Sequence, residues 1–120
     1  MSTAAQHAMQ SWISGELVLD GVLAAGGGLD LSHGFAALAT GELVMASQDA
    51  VWQGIAAAVA QLQARGTPVG ELLWGFEYAV LCTIQRSDGA WLGVFTVPKI
   101  SDEAALALRA RLDAFKEQPF

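Results

Sequence analysis

Hydrophobic and polar positions along the chain fall into three helical stretches separated by segments of extended period. In residues 3–13 Ala, Gln, Met and His dominate, and Met9, Trp12 and Ile13 recur at helical spacing. The spacing predicts a first helix there, closed by Gly15. Trp52, Ile55, Val59 and Leu62 recur in steps of three, four and three, which predicts a second helix over about 50–65. Asp49 stands where an N-cap belongs, and Gly66 followed by Thr67-Pro68 supplies the stop. A third helix opens after Ser101, a capping residue. Asp102 and Glu103 lie in its first turn, beside the positive end of the helix dipole, and Arg109, Arg111 and Lys116 lie towards its C-terminal half. Ala105, Leu108, Leu112 and Phe115 form its apolar stripe.

From Leu72 the period changes to alternation. Trp74, Phe76, Tyr78, Val80, Cys82 and Ile84 would share one face of an extended segment, with Gly75, Glu77, Ala79, Leu81, Thr83 and Gln85 on the other. Residues 72–86 are long for one strand, so a break between Gly75 and Glu77 giving two strands fits better. Ser87-Asp88-Gly89 reads as a hairpin turn, residues 90–97 return antiparallel, and Pro98 ends the sheet. Between 16 and 46, apolar runs are punctuated by six glycines, and strands are expected at 22–25 and near 35–45. Gly-Glu-Leu recurs at 15, 41 and 70, each time read as a turn glycine opening an extended segment. The expected fold is α/β (α+β), a central antiparallel sheet flanked by three helices in the order α-β-β-α-β-β(-β)-α. A length of 120 residues fits a single domain over 1–120.

Composition adds a question. Hydrophobic residues make up 53% and charged ones 15%, where about 25% charged is ordinary. A membrane span does not explain the shortage, because the uncharged runs are far below the roughly 18–20 residues a spanning helix needs, and the N-terminus shows no signal peptide. A surface covered by another subunit is the favoured account, with an Ala-rich and Gly-rich monomer as the alternative. Residues 1–64 hold five charges, all acidic, and every Lys and Arg lies beyond them. The second helix has no charge between Asp49 and Arg65. Its small positions permit close approach by another helix, so Trp52, Ala56, Ala57, Ala60 and Ala64 are candidate homodimer-interface residues. The net charge of −6, without a basic stripe, argues against nucleic acid and anionic membranes. A lone Cys82 excludes an intramolecular disulfide framework and points to a reducing, cytoplasmic setting.

Candidate chemistry is sparse. Gly26-Gly27-Gly28 lacks the Gly-Lys-Ser/Thr of a phosphate loop and the glycine spacing of a dinucleotide site, and reads as a flexible turn or bulge. Asp30, Ser32 and His33 offer the residue types of a hydrolase triad at the wrong spacing. His7 and His33 do not form an i, i+4 pair, and Cys82 has no second thiol, so no metal or cofactor site is expected. Cys82 reads as a small buried hydrophobe. Trp74, Phe76, Tyr78, Trp91 and Phe95 read as core, with an apolar ligand pocket beside Trp74, Tyr78 and Trp91 as the alternative. The chain is expected to bind protein chains and not to catalyse.

Several local phrases carry a family likeness. Leu19-Asp20-Gly21-Val22-Leu23-Ala24-Ala25 after the first helix, the Ala-rich helix over 50–65, the hairpin over 78–97 and the closing helix over 102–116 together resemble the roadblock/dynein light chain superfamily, which has a profilin-like fold. The likeness covers most of the chain. One departure is clear: between Gly21 and Asp49 the family fits a tight two-strand hairpin, whereas this chain spends 27 residues. The resemblance implies a non-enzymatic regulatory module that dimerises through its sheet edge and second helix. Prokaryotic members of that superfamily often work with Ras-like small GTPases, which implies such a GTPase as a partner.

Overall fold

The computed structural model describes residues 3–66 and 70–120. Helix α1 (Ala4–Glu16) leads into strands β1 (Val22–Gly28) and β2 (Phe35–Ala39), then a short 3-10 helix (Gly41–Ser47) and helix α2 (Asp49–Ala64). Strands β3 (Glu71–Gly75), β4 (Val80–Gln85) and β5 (Trp91–Thr96) follow, and helix α3 (Asp102–Glu117) closes the chain. The five strands form one antiparallel sheet in the order β2-β1-β5-β4-β3. The mixed α/β architecture with three main helices is the one the hydrophobic pattern predicts.

Each sheet face carries its own core. On one side Met9, Ile13 and Leu17 of α1 and its end, with Leu108, Leu112 and Phe115 of α3, pack on Val22, Ala25, Cys82, Ile84, Leu92 and Val94. On the other, Trp52 and Ala56 of α2 pack on Leu23, Ala24, Leu81, Trp91 and Phe95. Alternation along β5 feeds both layers, which is why all six of its residues are buried.

The helix ends follow local chemistry. Thr3 accepts from the Gln6 N–H at 3.0 Å and Ser101 accepts from the Ala104 N–H at 3.1 Å, each satisfying a donor left free by the first turn. Helix α1 runs past Gly15 to Glu16, because Leu17 is drawn into the core and its N–H still reaches the Ile13 carbonyl at 3.0 Å. Asp49 does not cap α2. The cap position is Gln48, and the Asp49 carboxylate instead accepts from the Ala36 N–H at 2.8 Å, tying the helix start to β2. Of the α2 stop signal, Thr67 and Pro68 lie outside the described residues. In α3 the buried small residue is Ala104, with Ala105 half-buried.

Three sheet expectations are corrected. The segment near 35–45 is a strand only to Ala39. Beyond it the chain must cross from the sheet edge to the start of α2, and the 3-10 helix makes that crossing while burying Ala46. The break after Gly75 is a hairpin, with the Phe76 N–H on the Ala79 carbonyl at 2.9 Å. Trp74 therefore stands opposite Leu81 and faces α2, and does not share a face with Cys82 and Ile84. The triple glycine is neither loop nor turn: it is the buried second half of β1, with a bulge in the β2 pairing between Ala25 and Gly26. A Cβ on Gly26 would sit 2.5 Å from the Phe35 carbonyl oxygen and 2.5 Å from the Trp52 ring. Glycine is there so that the Trp52 ring can approach the strand backbone closely. The Ser87-Asp88-Gly89 turn forms as expected, with Gly89 at φ +98° and Asp88 accepting from the Ala90 N–H at 3.1 Å.

Candidate functional site

The two sheet edges are treated differently. At the β2 edge the backbone groups of Ala36 point away from β1 and both are taken: Asp49 accepts from its N–H and the Gln10 side chain donates to its carbonyl at 3.4 Å, while those of Ala39 also point outward. That edge is blunted at Ala36 by its own chain.

The β3 edge is open. The bonds from the Gln85 N–H to the Gly70 carbonyl and from the Phe76 N–H to the Ala79 carbonyl fix the alternation of the β3–β4 ladder. Leu72 and Trp74 turn their backbone groups to β4, so Glu71, Leu73 and Gly75 present theirs outward. Among the described residues nothing bonds to those outward groups. Apolar side chains flank them: Leu73 is 73% exposed, Phe76 55% and Tyr78 79%. Beneath Leu73 a cavity of about 250 Å³ runs between β3, β4 and α3, lined by Val80, Cys82, Ile100 and Leu108 among others. The Arg109–Glu71 ion pair, at 2.9 Å, stands on its rim.

Helix α2 borders the same edge on the opposite face. A cavity of about 200 Å³ is lined by Ala58, Gln61, Leu62 and Arg65 of the helix and its C-terminal end together with Trp74 of β3, whose indole N–H reaches the Thr83 hydroxyl at 3.3 Å. Of the interface candidates read from the sequence, Trp52 and Ala56 are enclosed by this chain's own core, Ala60 is half-buried, and Ala57 and Ala64 are exposed. The flank turned towards β3 is that of Ala58, Gln61 and Leu62. At 100° per residue, Ala60 and Ala64 lie on the far flank and Ala57 between. Ala58 and the β3 residues are what sequence reading missed. The signal was the shared lack of charge at 58 and 61, legible only once the orientation of the helix is known.

The other chemical candidates separate. Asp30 accepts from the Ser32 N–H at 2.8 Å and from its hydroxyl, which also contacts His33 Nδ1 at 2.8 Å. Those Ser32 bonds hold the Asp30 carboxyl below its usual range. His33 Nδ1 faces both the Ser32 hydroxyl and the Asp30 carboxylate, the latter at 3.5 Å, whereas a triad needs one ring nitrogen on each, and the group closes an exposed turn. Cys82 is buried, and burial, with the Glu71 charge adding, pushes its thiol up to about 11. Among the described residues no three of His, Cys, Asp and Glu gather as a metal would need, and no helix is long and apolar enough to cross a membrane. Of the aromatics, Trp91 and Phe95 are sealed beside Trp52, with Trp52–Phe95 centroids 5.6 Å apart, while Tyr78 projects from the hairpin tip. Trp74, Tyr78 and Trp91 thus occupy three different environments. No protein-family model matches the chain, and no curated protein matches it in sequence.

Proposed function

We propose that this chain is a non-enzymatic, homodimeric regulatory or scaffold module of the roadblock type, working by binding protein chains, and that a second copy seats on the β3 edge and the adjoining flank of α2. The open row of backbone donors and acceptors on β3 carries the reading. An unpaired edge bordered by exposed apolar side chains and by a helix flank of Ala58, Gln61 and Leu62 suits strand addition by another chain. The layered order and the resemblance in residues 19–25 support the roadblock part. The Ras-like GTPase partner rests on that resemblance alone.

Sedimentation velocity across a concentration series tests the dimer. The parent chain should sediment as a dimer, and Ala58→Glu, which places a charge in the uncharged flank, should shift it to monomer. Gln85→Glu, away from that edge, should leave it dimeric. A parent chain that stays monomeric at high micromolar concentration contradicts the proposal. The GTPase part is tested separately, by pull-down of Ras-like GTPases in GDP and GTP-analogue states from the same cells. Equal absence of both on the dimer removes it.

A further inference from the structure

We propose that the cavity between β3, β4 and α3 is a binding site for a short aliphatic amide, whose chain fills the cavity and whose head is held by Arg109 and Glu71. The site is independent of the homodimer reading.

The body of the cavity suits a hydrocarbon chain. Apart from Glu71, Thr96 and Arg109, the residues lining it are apolar or the uncharged Cys82, drawn from β3, β4, the stretch between β5 and α3, and α3 itself. Such a lining gives a water few partners, and apolar cavities stay dry and take up hydrocarbon. At about 250 Å³ it lies below the roughly 300–1,000 Å³ of drug-sized sites, so its occupant is short.

Arg109 supplies the head contact. The guanidinium offers only donors. Its Nη1 donates to Glu71 Oε1 at 2.9 Å, while Nε stands 3.6 Å from Asp113 Oδ1, too far for a hydrogen bond. Among the described residues neither Nε nor Nη2 has a hydrogen-bond partner, and both are buried. Buried donors left unmet are costly, and a native fold pairs nearly all of them. The side chain as a whole is 43% exposed, so a turn about its terminal bonds carries these nitrogens to the mouth of the cavity.

Charge selects the kind of acceptor. Arg109 and Lys116 stand against Glu71 and Asp113 on this rim, which leaves it balanced. An ionised head would bring an uncompensated charge out of water, and a neutral oxygen does not. Among the described residues Glu71 bonds through Oε1 alone, so Oε2 is a free acceptor beside the Arg109 donors. A donor next to an acceptor complements an amide, whose carbonyl accepts from Arg109 and whose N–H donates to Glu71. An alcohol or an ester meets the pair less completely.

NMR titration of the labelled protein with hexanamide, hexanol and hexanoate tests the site. Hexanamide should shift the backbone resonances of Val80, Cys82 and Leu108 saturably, and hexanoate should bind about tenfold more weakly. Arg109→Met, which keeps the length of the side chain and removes its donors, should weaken hexanamide by about tenfold. Ala105→Phe, which fills the cavity and keeps Arg109, should abolish binding. Hexanoate or hexanol bound as tightly as hexanamide overturns the amide head. Equal hexanamide affinity in Arg109→Met overturns the Arg109 contact, and unchanged binding in Ala105→Phe removes the ligand from this cavity. No saturable shift with any of the three compounds overturns the site. Should Ala105→Phe fail to fold, the three compounds on the parent and Arg109→Met still decide.

Discussion

Trp52 is fully buried, its indole N–H donates to the Ala46 carbonyl at 2.8 Å, and its ring meets Trp91 at 6.4 Å and Phe95 at 5.6 Å. Room for it comes from glycine: a Cβ on Gly26 or Gly93 would sit 2.5 Å or 2.9 Å from its ring. Gly26→Ala should therefore lower stability by about 1–3 kcal/mol, the usual cost of overpacking. Gly41→Ala, where nothing lies within 4 Å, should change it little. Thermal melts of the two variants check this. Cys82 is placed for packing, and Cys82→Ala should cost about 1 kcal/mol and leave association intact. Its thiol keeps its proton up to about 11 in the folded chain, whereas an unfolded chain releases it near about 8.5. The raised folded value means that stability is lost as pH rises from about 8.5 towards 11, and more steeply in the parent than in Cys82→Ala. Denaturant melts across that range read the difference, and equal slopes would exclude the mechanism.

Among the elements, the β4–β5 hairpin and the end of α3 are joined by one side chain. Arg86 bonds Asp88 through Nε and Nη2, donates from Nη1 to the Phe115 carbonyl at 2.9 Å and to that of Gln118, and lies over the Phe115 and Phe120 rings at 5.1 and 5.4 Å. Trp12 of α1 closes the cluster against both rings. Arg86→Leu should lower the melting temperature by several degrees, since it strands two part-buried carbonyls and removes the guanidinium from the Phe115 and Phe120 rings. The Arg86 bonds also hold Asp88 below its usual value. Stability from this pair is present above about pH 3.9, the ordinary aspartate value, and lost as pH falls below it through the folded pKa. Acid melts should show a steeper loss in the parent than in Asp88→Asn. These helices and this turn were legible in the sequence because their signals are local: Ser101 three residues before its bonding partner, Leu108, Leu112 and Phe115 at helical spacing, and glycine after Ser87-Asp88. Residues 22–48 were legible only as two strands, without their extents. There the glycines answer to Trp52, far along the chain, and Asp49 is diverted from capping by a backbone donor on β2. The Trp74 face was misread for a related reason, since one four-residue hairpin loop reverses the alternation on either side of it.

At the scale of the whole molecule, the sheet is covered unevenly. Both faces are packed at β1 and β5, one edge is tied at Ala36 by Gln10 and Asp49, and the opposite edge is left with outward backbone groups, exposed Leu73 and a helix flank of Ala58, Gln61 and Leu62 that ends at Arg65. The shortage of charge in the sequence raised the expectation of a covered surface, and the fold sets the open β3 edge beside the flank of Ala58, Gln61 and Leu62. Which α2 residues border the β3 edge could not be read from periodicity alone, since Ala57, Ala58, Ala60 and Ala64 are alike until the sheet tells one flank from the other. The most direct measurement is sedimentation equilibrium of the parent chain and of Leu73→Pro. Proline at an outward-facing edge position removes only the outward N–H and spares the β4 ladder, so the variant should fold with the parent's circular dichroism. The account predicts a dimeric parent and a monomeric Leu73→Pro at the same micromolar concentration. A folded Leu73→Pro that remains as dimeric as the parent, or a parent that is monomeric throughout, would contradict it.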